Sequence, residues 1–346
     1  MRPQDLLVPT LSGLFCPLGG FHVDPLRAVD KAFITHAHAD RARAGHGAVA
    51  ATRETLDLMR LRLGPRFADA EQAVTYGQPQ QAGEVTVTFY PAGHVLGSAQ
   101  ILVEHSGLRV VVAGDYKDAG DPTCTPFALV TCDLFVTEAT FGLPVFRHGN
   151  PQGEIGKLLR SLQDNADRTH LVGAYSLGKA QRMIALLRQA GYDEPIYLHS
   201  ALEATTRYFV ARTELGNVQP VRTAAKVELP GRVTLCPPAA LKETWTRRFL
   251  NPLTVLASGW MRVPTRARQR GVDLPLVISD HADWDGLRAT IAATGAAEIW
   301  LTHGAADALL DWCRTRGLVA RSLNIVGYGE EDETAGDENA PRLSGR

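Results

Sequence analysis

THAHADR, residues 35–41, follows directly on the apolar run Ala32–Ile34, which has the composition of a buried β-strand. Because side chains alternate along an extended segment, His36, His38 and Asp40 can converge on one point where the strand ends. Two imidazoles and a carboxylate at this spacing suit a divalent cation such as zinc or manganese. The stretch therefore predicts a metal centre at a strand exit; the alternative is a polar turn that happens to hold two histidines.

Other strand-like runs also end in a residue that can bind a metal or move a proton. These residues are His94 after VTVTFY (85–90), Asp115 after RVVVA (109–113), Glu138 after LFVT (134–137), His281 after LVI (276–278) and His303 after IWL (299–301). Any one of them could be an ordinary loop residue. Together they predict an active site, because reactive side chains are usually held on loops at one edge of a rigid sheet.

Asp24 lies at the end of a short strand-like run, just before Pro25. We expect its carboxylate to support the metal ligands from behind without binding the ion itself. The alternative is an ordinary turn aspartate.

The composition is that of an ordinary globular protein, since 45% of the 346 residues are hydrophobic and 21% are charged. No run approaches the ~18 apolar residues of a membrane span, and the first residues hold no apolar signal core. We therefore expect a cytoplasmic protein with no membrane partner. The five cysteines are scattered and form no Cys-x-x-Cys pair, which argues against a disulfide framework and a thiolate metal site.

Charge is unevenly distributed along the chain. Residues 329–346 hold six acids against two arginines, a net −4, which leaves +3 for the rest of a chain whose total is −1. This segment is polar and without aromatic residues, so it is predicted to be a disordered acidic tail. The mildly basic remainder permits phosphate binding through local patches.

From Pro151 to about Pro252 the sequence changes to alternating helices and strands. Helix-like stretches at 154–164, 179–190 and 202–213 alternate with apolar strands at 169–173, 195–198 and 232–235. This pattern is typical of an α/β fold with a parallel sheet flanked by helices. Metal-type residues lie on both sides of it, so we predict a metal-binding domain formed by 1–150 and 253–328, with 151–252 inserted as a second domain.

Two stretches are candidates for contact with an anionic substrate. AYSLGK, residues 174–179, lies between a strand and a helix, so Ser176, Lys179 and free backbone N–H groups can meet an anion there, unless they only cap the helix. Trp260 is followed by four arginines within residues 262–270. An aromatic ring beside clustered arginines suits base stacking and phosphate contact, although a solvated loop would look the same.

The ordered set of motifs resembles the metallo-β-lactamase-fold nucleases of the β-CASP group, which contains Artemis, the crosslink-repair exonucleases and the pre-mRNA 3′-end endonuclease. More closely, it resembles bacterial DNA-ligase-associated exonucleases of repair operons. The motifs are GFHVDP (20–25), ITHAHAD (34–40), GHVLGS (93–98), LGKAQR (177–182) and DHADW (280–284). The resemblance covers roughly residues 6 to 328 and implies an αββα sandwich with an inserted α/β β-CASP domain.

The resemblance also implies a set of metal ligands. A first ion would be held by His36, His38, His94 and Asp115, and Asp115 would bridge to a second ion held by Asp40, His303 and one more histidine. That last histidine would end the family's His-x-His-x-Asp-His motif.

This sequence departs from the family at that position, where it has Arg41. An arginine stays protonated and cannot bind a metal, and its charge opposes a second cation. We therefore expect one well-held divalent ion and a weak or absent second one. Arg41 could bind a substrate phosphate bidentately in place of the missing ion, or it could mark a degenerate site.

The predicted function is that of a metal-dependent DNA exonuclease that hydrolyses phosphodiester bonds in DNA repair. A bound ion lowers the pKa of its water towards about 7, so a metal-bound hydroxide is available to attack phosphorus, and Asp115 orients it. His281, held by Glu138 as the resemblance implies, protonates the leaving sugar oxygen. The resemblance adds DNA ends or single strands as substrate and a DNA ligase and a helicase as partners.

Three alternatives are carried forward. The chain could be an inactive nucleic-acid-binding subunit of a repair complex because of Arg41, or an RNA-processing endonuclease. It could also be a small-ester hydrolase on the same fold, although Glu138, His281 and the inserted domain would have no obvious use there. Zinc and manganese are not separated, because His/Asp sites accept both.

Overall fold

The computed structural model of the protein describes residues 2–323, so the predicted acidic tail at 329–346 lies outside the described residues. The described residues form two compact units, one of residues 2–147 and 280–323 and the other of residues 148–279. Helices and several sheets are mixed in the structure, as the predicted α/β class requires. Between residues 2 and 323, no helix has the length and apolar character needed to cross a membrane.

The strands of the described residues, in chain order, are β1 (Val8–Thr10), β2 (Gly13–Cys16), β3 (Phe21–Val23), β4 (Lys31–Phe33), β5 (His46–Thr52), β6 (Ala68–Val74), β7 (Gln80–Ala82), β8 (Val85–Pro91), β9 (Ala99–His105), β10 (Leu108–Val112), β11 (Leu134–Ala139), β12 (His170–Gly173), β13 (Ile196–Leu198), β14 (Val218–Pro220), β15 (Val233–Cys236), β16 (Leu253–Ala257), β17 (Leu274–Leu276), β18 (Glu298–Gly304) and β19 (Val319–Ser322).

The α-helices are α1 (Pro3–Leu6), α2 (Arg53–Leu63), α3 (Pro151–Asp164), α4 (Lys179–Gln189), α5 (Ser200–Val210), α6 (Pro264–Arg270), α7 (Trp284–Thr294) and α8 (Asp307–Arg314). Short 3₁₀ turns occur at Val221–Thr223, Lys226–Glu228, Pro238–Lys242, Thr244–Arg248 and Gly259–Arg262. Local signals explain several helix ends. Thr52 Oγ1 accepts the backbone N–H of Thr55 at the start of α2, and Asp283 accepts two N–H groups at the start of α7.

The first unit contains two sheets. One has the strand order β1-β2-β3-β4-β5-β6 and the other β19-β18-β11-β10-β9-β8-β7. In the second of these, β10, β11, β18 and β19 run parallel, whereas β7 to β10 run antiparallel. Since parallel strands end at the same edge, the loops after β10, β11 and β18 are brought together.

The central strands of the seven-stranded sheet are buried on both faces, and alternate residues of β10 face different cores. Val110 and Val112 join a core with residues of the six-stranded sheet, including Phe21 and Phe33, whose rings stack 4.1 Å apart. Val111, between them, joins another core with residues of α7 and α8. Burial on both faces explains why these strands read as nearly continuous apolar runs and why their ends are fixed precisely.

The second unit is built on a parallel sheet with the order β14-β13-β15-β12-β16-β17. Part of its core is formed by Leu171, Tyr197, Val221, Leu229 and Phe249. The sheet includes β16 and β17, which follow residue 252, because β16 pairs along its length with β12. The compact unit therefore runs on to Ser279, past the end predicted for the inserted domain, and the domain boundaries at 151 and 252 stay a prediction.

Candidate active site

The predicted site residues of the first unit lie at or next to the ends of its strands. His36, His38 and Asp40 follow β4, His94 follows β8, Asp115 follows β10, and His281 precedes α7. Glu138 and His303 are the second-to-last residues of β11 and β18. The structure brings the histidines at 36, 38 and 94 together with Asp115, and Asp115 with Glu138, His281 and His303. Their chemical roles are not tested by this geometry and stay predictions.

Two glycines permit the close approach of these segments. Gly114, before Asp115, has a φ of 60°, and a Cβ atom there would lie 2.7 Å from Thr35 Oγ1. Gly93, before His94, has a φ of 71°, and a Cβ atom there would lie 2.5 Å from the carbonyl oxygen of Lys117. Both the left-handed backbone and the contact exclude a side chain, so glycine is required before each candidate ligand.

His36, His38 and His94 form a buried cluster of imidazoles. Their ring centroids are 4.8–5.0 Å apart and the rings meet edge to face. His94 Nε2 lies 3.1 Å from His38 Nδ1, and one ring nitrogen of each histidine lies within 4.8 Å of those of the other two. Three nitrogens that converge in this way can bind one divalent ion at the usual distance of about 2.0–2.1 Å.

Contacts made by the Nδ1 atoms, which point away from the cluster centre in this assignment, fix the rings of His36 and His94. His94 Nδ1 lies 2.9 Å from the carbonyl oxygen of Asp280, and His36 Nδ1 lies 3.1 Å from Thr35 Oγ1. If Nδ1 donates in each case, Nε2 carries the lone pair that a metal needs. His36 Nε2 is buried without a hydrogen-bond partner among the described residues, which is the condition expected of an atom that binds an ion.

The pKa values of His36 and His94 favour neutral imidazoles. Burial lowers the pKa of His36 well below its ordinary value, and it lowers the pKa of His94 to about 3. Neutral imidazole is the form that binds a metal, so the donor set at this position fits a divalent ion.

Asp24 lies behind the cluster, as expected of a supporting carboxylate. It is 1% exposed, and its two oxygens accept hydrogen bonds from the Thr35 backbone N–H (2.8 Å) and hydroxyl (2.7 Å). Burial raises the pKa of Asp24 to about 7, against the opposing charge of Arg41. Asp24, Thr35 and His36 thus form a chain of contacts that holds the His36 ring.

Asp115 lies beside the three-histidine cluster, with its Oδ2 atom 3.5 Å from His36 Nε2. Burial acts to raise the pKa of Asp115, but Arg41 and the neighbouring histidines hold it well below its ordinary value. Asp115 is therefore a carboxylate at neutral pH, able to bind an ion or to accept a proton from water.

His281 forms an ion pair with Glu138. His281 Nδ1 lies 2.9 Å from Glu138 Oε2, and the ring centroid lies 4.6 Å from that of His94. Burial acts to lower the pKa of His281, but the Glu138 carboxylate outweighs it and raises this pKa to about 9. His281 is therefore protonated at neutral pH and can donate a proton next to the histidine cluster.

Arg41 lies among the remaining candidate ligands of a second ion. Its Nη2 atom lies 2.7 Å from Asp115 Oδ1 and 2.9 Å from His303 Nδ1, and its Nε atom lies 3.0 Å from Asp40 Oδ2. Burial and the Arg41 charge lower the pKa of His303 to about 4. The donor set around His303 therefore surrounds a guanidinium.

Ser176, Lys179 and Trp260 belong to the second unit. At the start of α4, the Gln181 side chain accepts the Gly178 N–H (2.8 Å) and donates to the Ser176 carbonyl oxygen (3.1 Å). Lys179 is 5% exposed, with Nζ 4.7 Å from the centroid of the Tyr175 ring. Trp260 is 9% exposed, and the Arg266 guanidinium lies 4.1 Å from its ring centroid. A base could stack on that face of Trp260 only by displacing Arg266.

Three further residues hold the site and were not among the predicted site residues. Thr35 links His36 to Asp24, the Asp280 carbonyl oxygen faces His94, and Thr140 Oγ1 lies 3.1 Å from His303 Nε2. Asp280 lies next to His281 at the same predicted strand exit, so the sequence could have indicated that Asp280 lies at the site. The two threonines carry no pattern that distinguishes them from other polar residues at strand ends.

Three buried imidazoles beside a carboxylate and a protonated His–Glu pair define a candidate site for metal-dependent hydrolysis.

No family model matches the chain. A probable DNA ligase of Opitutus terrae is 28% identical over 316 residues, which cover 90% of this chain but only 30% of that protein. Ribonuclease TTHA0252 of Thermus thermophilus is 30% identical over 386 aligned residues, which cover 90% of this chain and 84% of the ribonuclease.

These similarities show that the chain belongs to the metallo-β-lactamase-fold β-CASP nuclease family. Membership of this family implies a divalent metal ion, and the histidine and aspartate clusters are compatible with one. Among solved structures, a protein of unknown function from Enterococcus faecalis V583 aligns with a TM-score of 0.53 at 13% identity, covering 78% of this chain and 74% of that one. That similarity concerns the fold alone.

Proposed function

We propose that the protein is a metal-dependent phosphodiesterase that cleaves nucleic acid. The observation that carries this proposal is the convergence of His36, His38, His94 and Asp115 next to the His281–Glu138 pair. The names of the relatives support it, since one is called a ribonuclease and another a probable DNA ligase. We also infer that the first unit is the αββα sandwich and the second the inserted β-CASP domain of this family.

The proposed chemistry divides the work among these side chains. His36, His38, His94 and Asp115 would hold a divalent ion, zinc or manganese, which would supply a Lewis acid for the phosphoryl oxygen and lower the pKa of water. Asp115 accepts a hydrogen bond from the attacking water and orients it. His281 donates its Nε2 proton to the departing sugar oxygen, because its Nδ1 atom faces Glu138.

We propose DNA as the substrate, cleaved from an end, with a DNA ligase and a helicase as partners in repair. Support comes from the 28% identity to a protein named as a probable DNA ligase, across 90% of this chain. A second candidate is cleavage of RNA at internal sites, which the 30% identity to ribonuclease TTHA0252 favours. Ser176, Lys179 and Trp260 are proposed to contact the nucleic acid from the second unit.

A cleavage assay with end-labelled substrates tests these proposals. Single- and double-stranded DNA and the matching RNA, each with and without a 5′-phosphate, are incubated with protein in Mn²⁺, Zn²⁺ or Mg²⁺. We expect mononucleotides released progressively from DNA, no release by H36A, and release slowed roughly 10²–10⁴-fold in H281Q. Internal fragments of RNA would favour the second candidate. Tight binding without cleavage under every metal would favour a non-catalytic subunit and overturn the proposed activity.

A further inference from the structure

Arg41 is buried and surrounded by acidic groups. It is 2% exposed, although arginine is almost never fully buried unless it is paired. The guanidinium lies 2.7 Å from Asp115 Oδ1 and 3.0 Å from Asp40 Oδ2, and its Nη1 atom lies 4.0 Å from Asp24 Oδ2. One delocalised positive charge therefore faces three carboxylates from three different segments of the first unit.

The same guanidinium also contacts His303, with Nη2 2.9 Å from Nδ1. Asp40, Asp115 and His303 are the oxygen and nitrogen donors that a second ion would need at about 2.0–2.2 Å. The guanidinium nitrogens already lie 2.7–3.0 Å from these atoms, so an ion and the guanidinium cannot occupy this position together. A dication at about 4 Å from a guanidinium would also be repelled by it.

Binding of a substrate phosphate is a different use of an arginine and makes different demands. A phosphate would have to reach the guanidinium from solvent and compete with the charged oxygens that already contact it. With 2% of the residue exposed, the contacts made by Arg41 are internal to the protein. The contacts of Arg41 therefore favour a role in holding the buried side chains of the site over a role in binding a substrate phosphate.

We propose that Arg41 is a built-in cation that takes the position of a second metal ion, so that the centre binds one divalent ion per chain. Arg41 holds Asp40, Asp115 and His303 in place and neutralises part of their charge. The single ion binds at the three-histidine position. This inference rests on the proposed metal ligands but not on phosphodiester cleavage, so it can be tested by metal binding alone.

The test compares the wild-type protein with R41H, R41Q and R41K. Metal-free protein is titrated with Mn²⁺ or Zn²⁺, and the ions bound per chain are counted by elemental analysis after gel filtration. Bound Mn²⁺ is also examined by electron paramagnetic resonance, which separates an isolated ion from a spin-coupled pair. We expect one isolated ion in the wild type and in R41K, which keeps the charge. We expect two coupled ions in R41H, which supplies an imidazole and removes the charge.

R41Q separates the loss of the positive charge from the gain of an imidazole ligand, because it removes the charge without adding a strong ligand. We expect R41Q to bind a second ion weakly. Circular dichroism establishes whether each variant is folded. Two ions in the wild type would overturn the inference, and so would one ion in both folded R41H and folded R41Q. If the variants do not fold, the number of ions bound per wild-type chain is the remaining test: one ion supports the inference and two overturn it. Failure of the wild type to bind any ion would instead overturn the proposed metal centre, a distinguishable outcome.

Discussion

His281 Nδ1 lies 2.9 Å from Glu138 Oε2, and Glu138 Oε1 accepts a hydrogen bond from the Tyr116 backbone N–H at 2.9 Å. Glu138 is 0% exposed, so its carboxylate is fixed from two sides in the interior. The His281 ring is thereby held with Nδ1 towards Glu138, which leaves Nε2 as the nitrogen for the proposed proton donation. A buried carboxylate and an imidazolium in this geometry suit general acid catalysis.

Substitution of His281 by glutamine should reduce cleavage without loss of the metal. General acids contribute roughly 10²–10⁴-fold to rate, and we expect a loss in this range for H281Q. E138Q should also slow cleavage, because the neutral amide no longer raises the pKa of His281. The measurements are single-turnover cleavage rates and metal content. H105Q, which changes a histidine at the end of β9, is the matched control. Wild-type rates in H281Q would contradict the assigned role.

Stability of the metal-free protein should fall as the pH rises from about 6.5 to about 9. The folded-state pKa of His281 is raised to about 9, above the ordinary value of about 6.5 for histidine. The folded protein therefore binds this proton more tightly than the unfolded chain does, so the stabilisation is complete below about pH 6.5 and is lost through about pH 9. Urea unfolding in the presence of a chelator measures the effect. The difference between wild type and H281Q should shrink over this interval; a constant difference would contradict the prediction.

The sequence predicted the α/β class and the family, and the similarities and the structure confirm both. It did so because local patterns were strong. The helix expected at 179–190 is observed at Lys179–Gln189, and the strand expected at 195–198 at Ile196–Leu198. These segments have a clear apolar period, and Gly or Pro lies close to their ends. The strand expected at 276–278 is instead at Leu274–Leu276, since its position depends on pairing with β16.

Site residues that directly follow a strand could be predicted from the sequence. Site residues whose role depends on contacts with distant parts of the chain could not. His94 and Asp115 were found because each comes after an apolar run and a glycine. Thr35 was missed because its hydroxyl acts only through Asp24 and His36, which lie at the ends of two different strands. The contacts of Arg41 could not be predicted either, because Asp115 and His303 are 74 and 262 residues away along the chain.

Replacement of Thr35 by valine should weaken metal binding while the ligands themselves remain. The substitution keeps the side-chain shape but removes the hydroxyl that contacts His36 Nδ1 and donates to Asp24. Loss of such a supporting contact typically costs 10- to 100-fold in metal affinity, and we expect a change of roughly that size. Calorimetric titration with Zn²⁺ or Mn²⁺ measures it. T86V, on β8, removes a hydroxyl outside the site and should bind like the wild type. Unchanged affinity in T35V would show that Thr35 does not orient the ligand.

Replacement of Asp24 by alanine should destabilise the fold, and asparagine should be better tolerated. Asp24 accepts both the N–H and the hydroxyl of Thr35 and has a φ of 45°, a left-handed conformation that asparagine adopts more readily than alanine. Leaving buried hydrogen-bond donors unsatisfied costs about 1–3 kcal/mol, so we expect a loss of this order for D24A. Asparagine retains one acceptor oxygen and should lose less. Urea unfolding of both variants at one pH measures the free energies, and equal stability of D24A and D24N would contradict this explanation.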